Sequence, residues 1–213
     1  MTRQLLSPRP TVSAATALHE RRNALHTLAG LLELARYAEG RHECAAPAPE
    51  VEGLLAQVDE PLVQAQLLGK MLLGVERGVR VRLGQESELR GELAHPGELV
   101  TILGNLIDNA VDAVAGQGAP EPVVEVTLRR DGAAVTLRVA DNGPGVPPQS
   151  RERIFTAGWS SKRSFDGRHR GLGLALVREL AEYRGGRAEV SERRGGGAEF
   201  TVVLPDGPAG SAW

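Results

Sequence analysis

The 213-residue chain carries 41% hydrophobic, 24% charged and 3% aromatic residues and a single cysteine, which allows folded cores and excludes collagen-like, disulfide-framework and strongly disordered classes. With 25 Lys and Arg against 27 Asp and Glu, the net charge of −2 gives no general pull toward nucleic acid or an anionic membrane, so any bound nucleotide must be held locally. Cys44 has no intrachain partner and no apolar run approaches the roughly 20 residues that span a bilayer, so a soluble chain in the reducing cytoplasm is expected.

Residues 12–40 carry few helix breakers, and Leu18, Leu25 and Leu32 recur every seven positions with Leu28 and Ala35 offset by three, which predicts one long helix with a bundle stripe. The segment from Cys44 to Glu50 contains two prolines and suits a hairpin connection. A second amphipathic helix is expected from Val51 to Val75, with Pro61 a kink or a boundary. A lone hairpin would leave its apolar stripe wet, so burial in a dimeric four-helix bundle is expected. Of the 26 glycines only 6 lie in residues 1–80, so the texture changes near residue 80 to a turn-rich α/β unit. The expected division is 1–80, 81–206 and a disordered tail at 207–213, with a flexible linker over 78–90.

In the second unit a helix is predicted from about Gly97 to Val114. Val124, Val126 and Leu128 alternate with polar residues, as do Val135, Leu137 and Val139, giving two strands joined at Asp131-Gly132. A helix over Leu172 to Arg184 and two strands around Ala188–Glu192 and Glu199–Leu204 complete an α+β pattern, with Gly195-Gly196-Gly197 as the last turn.

Three polar features stand out. Asn105, Asp108, Asn109 and Asp112 share one face of the 97–114 helix, where Asn and Asp are each unfavourable by some tenths of a kcal/mol, so clustering there suggests use. Asp141-Asn142-Gly143-Pro144-Gly145 places a carboxylate at a strand end beside glycines that let backbone approach a ligand; the carboxylate suits an exocyclic amine. Gly171-Leu172-Gly173 opens a helix whose first N–H groups suit phosphate, with Lys162, Arg168, His169 and Arg170 nearby. Neither a P-loop nor a dinucleotide GxGxxG occurs.

Taken in order, Asn105-Leu106-Ile107-Asp108-Asn109-Ala110, Asp141 to Gly145, Ile154-Phe155 with Trp159-Ser160-Ser161-Lys162, and Gly171 to Leu174 resemble the N, G1, F and G2 boxes of the GHKL (Bergerat-type) ATP-binding fold, over about residues 85–205. The resemblance implies an α/β sandwich binding ATP and Mg²⁺. Asn109 would ligate the metal, Asn105 would contact phosphate, Asp141 would bind the adenine amine, and Lys162 with the amides of Gly171, Leu172 and Gly173 would hold phosphates beneath a mobile lid over about Thr156 to Arg170. Asp108, Asp112, Gly143, Gly145 and Phe155 complete the implied nucleotide site.

That fold serves several chemistries, so the first helix decides among them. Leu18-His19-Glu20-Arg21-Arg22-Asn23-Ala24-Leu25-His26, with Leu67-Leu68-Gly69-Lys70 and Glu76-Arg77-Gly78-Val79 downstream, resembles sensor histidine kinases of the citrate- and dicarboxylate-sensing type. An imidazole with a pKa of about 6.5 is neutral at physiological pH and offers a lone pair to the γ-phosphorus. The resemblance makes His19 that nucleophile, Glu20 the acceptor of its other proton, and Asn23, one turn on, an orienter of water for dephosphorylation. It also implies a homodimer and a response-regulator receiver aspartate as the next acceptor, with no room in the chain for a sensor module. A GHKL ATPase or serine kinase using the hairpin only to dimerise, and a phosphotransfer module with a degenerate ATP site, remain the alternatives.

Overall fold

A computed structural model describes residues 27–28, 30–32, 48–115, 121–159 and 171–207. The described positions at 27–32 are helical, and four further helices follow: α1 (Ala48–Gln57), α2 (Pro61–Glu76), α3 (Pro96–Val114) and α4 (Gly173–Tyr183). Most of the expected first helix, residues 12–40, lies outside the described residues, and so does the tail beyond residue 207.

The expected Val51–Val75 helix is two helices. Proline lacks the N–H that an interior helical residue donates but fits the first turn, where that group has no partner, so Pro61 starts α2. Glu60 caps it through Leu62 N at 3.3 Å. The residues between α1 and α2 are tied to the chain ahead of α3. Val58 bridges Leu89, Asp59 N donates to Leu89 O at 2.9 Å, and the Asp59 carboxylate takes N–H bonds from Gly91 and Arg90, each at 2.9 Å.

Five strands form one sheet among the described residues: β1 (Arg80–Leu83), β2 (Val123–Asp131), β3 (Ala134–Asp141), β4 (Arg187–Glu192) and β5 (Ala198–Pro205). The order is β1-β2-β3-β5-β4, with β1 parallel to β2 and the other pairs antiparallel. The expected flexible linker at 78–90 is therefore corrected: Arg80–Leu83 adds a strand, and Ser87 to Leu89 bond to Gly84, β2 and Gln57. Arg80-Val81-Arg82-Leu83 alternates polar and apolar residues, a short strand signal that the linker reading passed over. Asp206, the last residue of the expected second unit, is tied to the sheet and its turns. Asp206 N donates to Ala133 O at 2.7 Å, and its carboxylate pairs with Arg130 at 2.7 Å.

Strand alternation sends Val124, Val126, Leu128, Val135, Leu137, Val139, Phe200, Val202 and Leu204 to one face, where they meet the buried residues of α3 and α4. Glu125, Thr127, Arg138 and Glu199 occupy the opposite face. The result is a two-layer sandwich with its core between sheet and helices. Its buried cluster runs on through Val63, Leu67, Leu68 and Met71 of α2 and Val51 and Leu54 of α1, so α2 lies against α3 in the same core.

Candidate functional site

The α3 helix forms one wall of the site. Its apolar stripe of Leu99, Ile102, Leu103, Leu106, Ile107, Ala110 and Val114 is fully or nearly buried, which fixes its rotation and places its polar residues. Asn105 is buried, its Nδ2 donating to Thr101 O at 2.8 Å, so its Oδ1 is aimed by a fixed amide plane. Asn109, one turn on, is half-buried. Asp108 is buried and pairs with Lys70 of α2 at 2.7 Å. Asp112 lies exposed and pairs with Arg77 at 2.6 Å. The shared polar face thus divides: Asn105 and Asn109 remain toward the site, while Asp108 and Asp112 engage cations at and just beyond α2.

At the other end of α3 stands Asp141, the last residue of β3 and 1% exposed. Its Oδ1 accepts from Gly143 N at 2.8 Å and from Ala198 N at 3.3 Å, which fixes the carboxylate before any ligand arrives. A Cβ on Gly143 would stand 2.9 Å from that oxygen and 3.3 Å from the Ala113 carbonyl, so this turn lies directly on the end of α3. Gly197 is more constrained: its φ of +101° disfavours any side chain, and a Cβ there would overlap the Asp141 carbonyl. Gly145 in turn rests on Gly197. Asn142, read from the sequence only as part of a turn, ties the site to the sheet. Its Oδ1 accepts from Val123 N at 2.8 Å and its Nδ2 donates to Glu121 O at 2.7 Å.

The third part is the start of α4. Leu172 occupies the cap position without a capping side chain, so the first-turn N–H groups are left for an incoming acceptor. Gly173 faces Asn105: a Cβ there would lie 2.8 Å from Asn105 Oδ1. Gly171, at φ +91°, accepts from Gly158 N at 3.0 Å, and a Cβ on it would overlap the Trp159 carbonyl. The two stems flanking residues 160–170 are therefore drawn together at their base. Phe155 is buried rather than open to the site, with its ring 6.3 Å from Phe200 in edge-to-face contact and the Arg178 guanidinium 4.2 Å above it. Arg178 also pairs with Glu152 at 3.1 Å, so α4 clasps the turn that leads into residues 160–170.

Asn105, Asn109, Asp141, Gly143, Gly145, Gly171, Leu172 and Gly173 thus line up around α3, while His19, Glu20, Asn23 and Lys162 lie outside the described residues. A separate groove of about 700 Å³ runs over the opposite sheet face beside Arg80, Arg82, Glu125, Arg138, Ala140 and Glu199. Strand alternation puts Ala140 in that groove and Asp141 on the other side of the sheet. Lys70, quoted from the sequence within the second-helix resemblance but given no role in the site, carries one further signal: it is a lone charge inside Leu67-Leu68-Gly69-Lys70-Met71-Leu72-Leu73.

Residues 94–208 match the family described as histidine kinase-, DNA gyrase B- and HSP90-like ATPases. The chain is 39% identical over 193 residues to the sensor protein CitS of Bacillus subtilis, covering 88% of this chain and 34% of that protein. It is 34% identical over 195 residues to the sensor histidine kinase DcuS of Escherichia coli K12, covering 88% and 34%. The chain thus spans about a third of the length of these relatives. Among solved structures, full-length ShkA in complex with AMPPNP is similar at 33% identity and a TM-score of 0.55, over 92% of this chain and 40% of that one. The catalytic domain of histidine kinase ThkA shares the fold at 24% identity and a TM-score of 0.52, over 64% of this chain and 88% of that one.

Proposed function

The chain belongs to the family of histidine kinase-, DNA gyrase B- and HSP90-like ATPases, and from that membership we propose that it is the catalytic core of a protein-histidine kinase of two-component signalling. It takes the γ-phosphoryl group of ATP onto His19 and passes it to an aspartate of a response regulator. The observation that carries the nucleotide reading is the opposition of two ends along α3. A buried acceptor, Asp141, stands at the Ala113 end, and the Asn105 amide with the uncapped start of α4 stands at the other. Eight residues of helix separate those ends by about 12 Å, a span suited to a base at one end and its phosphates at the other.

The residues fit that group. Asp141 accepts the exocyclic amine of adenine, and the glycines at 143, 145 and 197 leave backbone where a side chain would intrude. The first amides of α4 and Asn105 meet phosphate oxygens, with Lys162 closing over them. Mg²⁺ would supply charge neutralisation of the phosphates, and the Asn109 amide oxygen, a hard ligand of the kind it prefers, would hold it. Phe155, buried among Phe200 and Arg178, serves the site by anchoring the base of the closing segment.

The phosphoacceptor helix lies within residues 1–80 and the nucleotide domain within 81–206, with α2 reaching from the first onto α3 of the second. A second copy of the chain completes the first unit as a four-helix bundle. In support, Leu28 and Leu32 are 56% and 64% exposed, one turn apart, while Thr27 and Gly30 on the same helical stretch are buried. No described helix is long and apolar enough to cross a membrane, and the kinase reading puts this part of the protein in the cytoplasm.

Incubation with Mg²⁺ and γ-labelled ATP tests the proposal. The expected product is protein label that survives base and is lost in acid, and that Asp141→Asn abolishes. Label stable to acid, or turnover to free phosphate with no labelled protein, would overturn it.

A further inference from the structure

We propose that Lys70 is a positioning residue for the nucleotide site, and that α2, which carries it, links that site mechanically to the helix at residues 27–32. The inference rests on the kinase reading above.

Residues 65–71 of α2 are buried without interruption, so no side of the helix there faces solvent. On one side Lys70, 0% exposed, places its Nζ 2.7 Å from Asp108 Oδ1. One turn back, Thr27 Oγ1 donates to Gln66 Oε1 at 2.6 Å, and Gly30 comes so close to the neighbouring residue that a Cβ on it would overlap the Ala65 carbonyl. Gln66 and Lys70 stand at i and i+4, so the two contacts are one turn apart on a single rigid rod.

A buried ion pair is a poor source of net stability, because desolvation of both charges consumes most of their attraction and an apolar pair of similar volume does as well or better. What it does supply is geometry. The Lys70 ammonium, buried within an apolar helix, is held at Asp108, and Asp108 lies between Asn105 and Asn109 in sequence on α3. Fixing Asp108 against α2 therefore fixes the rotation of α3, and with it where the two amides point. A shift of the 27–32 helix transmitted through Ala65 and Gln66 arrives one turn later at Lys70.

The test uses the full chain with Lys70→Met, Lys70→Arg, Asp108→Asn and the double variant Lys70→Met/Asp108→Asn. Three quantities are read: the Kd for Mg·ATP by displacement of a fluorescent ATP analogue, amide hydrogen exchange of residues 105–109 without nucleotide, and the thermal midpoint. We expect Lys70→Met to weaken Mg·ATP about tenfold and to speed exchange at 105–109. Lys70→Arg should restore most of both, and the double variant should cost no more than the worse single. Gly30→Ala should speed exchange at 105–109 in the wild-type background and add nothing to Lys70→Met.

A lower thermal midpoint with unchanged Kd and exchange would make Lys70 merely structural and overturn the proposal, as would additive costs in the double variant. If Lys70→Met fails to fold, Asp108→Glu, which keeps the charge and alters its reach, carries the comparison: it should weaken Mg·ATP and speed exchange at 105–109, and wild-type values for both would overturn the proposal. Wild type that binds no Mg·ATP overturns the kinase reading as well, whereas normal wild-type binding with indifferent Lys70 variants overturns this inference alone.

Discussion

Asn105 has one amide and two claims on it: Thr101 O takes its Nδ2, and Gly173 leaves only enough space for its Oδ1. A methyl at Gly173 would sit 2.8 Å from that oxygen, and the amide cannot turn away without giving up Thr101. Gly173→Ala is therefore expected to lower nucleotide affinity tenfold or more, about 1.4 kcal/mol, with little change in the thermal midpoint; isothermal titration with Mg·AMPPNP checks it. Gly197→Ala behaves differently. It meets backbone at positive φ, so it should destabilise the fold itself by about 1–3 kcal/mol, measurable by urea unfolding.

Asp59 offers a prediction in pH. The Gly91 N–H and then the Arg90 guanidinium hold its carboxyl below the usual aspartate range. Its folded pKa is below its unfolded one, so its contribution is complete above about pH 4 and is lost as pH falls through the folded value. Asp59→Asn should flatten the decline in thermal midpoint on the acid side of pH 4 and leave the shape between pH 6 and 8 unchanged. An unaltered acid limb would contradict this account of the α1–α2 junction.

Among the elements, those with long, regular apolar periods were legible before any coordinates. The α3 stripe and the alternation of β2, β3 and β5 stand where the pattern placed them, because each buries one face continuously. β1 shows its alternation in Arg80-Val81-Arg82-Leu83, but over only four residues, and which edge it joins, parallel to β2, is a tertiary outcome that no local window contains. The break at Pro61 was marked as either kink or boundary, and the capping by Glu60 decides for the boundary. The glycine triplet read as a plain turn, since nothing local says that Gly197 must pack on Asp141. Phe155 reads as a site residue from its motif, yet its ring is spent in the core against Phe200 and the Arg178 guanidinium. At this scale Lys70→Met, which removes the buried cation 2.7 Å from Asp108 Oδ1, should lower unfolding free energy by about 3–5 kcal/mol, as chemical denaturation would show.

For the whole molecule, the sequence division near residue 80 and the packing describe different things. Composition changes there, but α2, which ends at Glu76 ahead of that line, buries its residues against α3 beyond it. On the kinase reading, His19 takes the phosphoryl group either from the nucleotide of its own chain or from that of a second copy. Mixing His19→Gln chains with Asn109→Ala chains separates those routes: label appearing in the mixture, on the Asn109→Ala chain, is expected only if one copy phosphorylates the other.

The most direct measurement is labelling of the full chain by γ-labelled ATP and Mg²⁺ in three versions: wild type, His19→Gln and His26→Gln. The account predicts base-stable, acid-labile label in wild type and His26→Gln and none in His19→Gln. Label retained in His19→Gln, or lost only in His26→Gln, would contradict it.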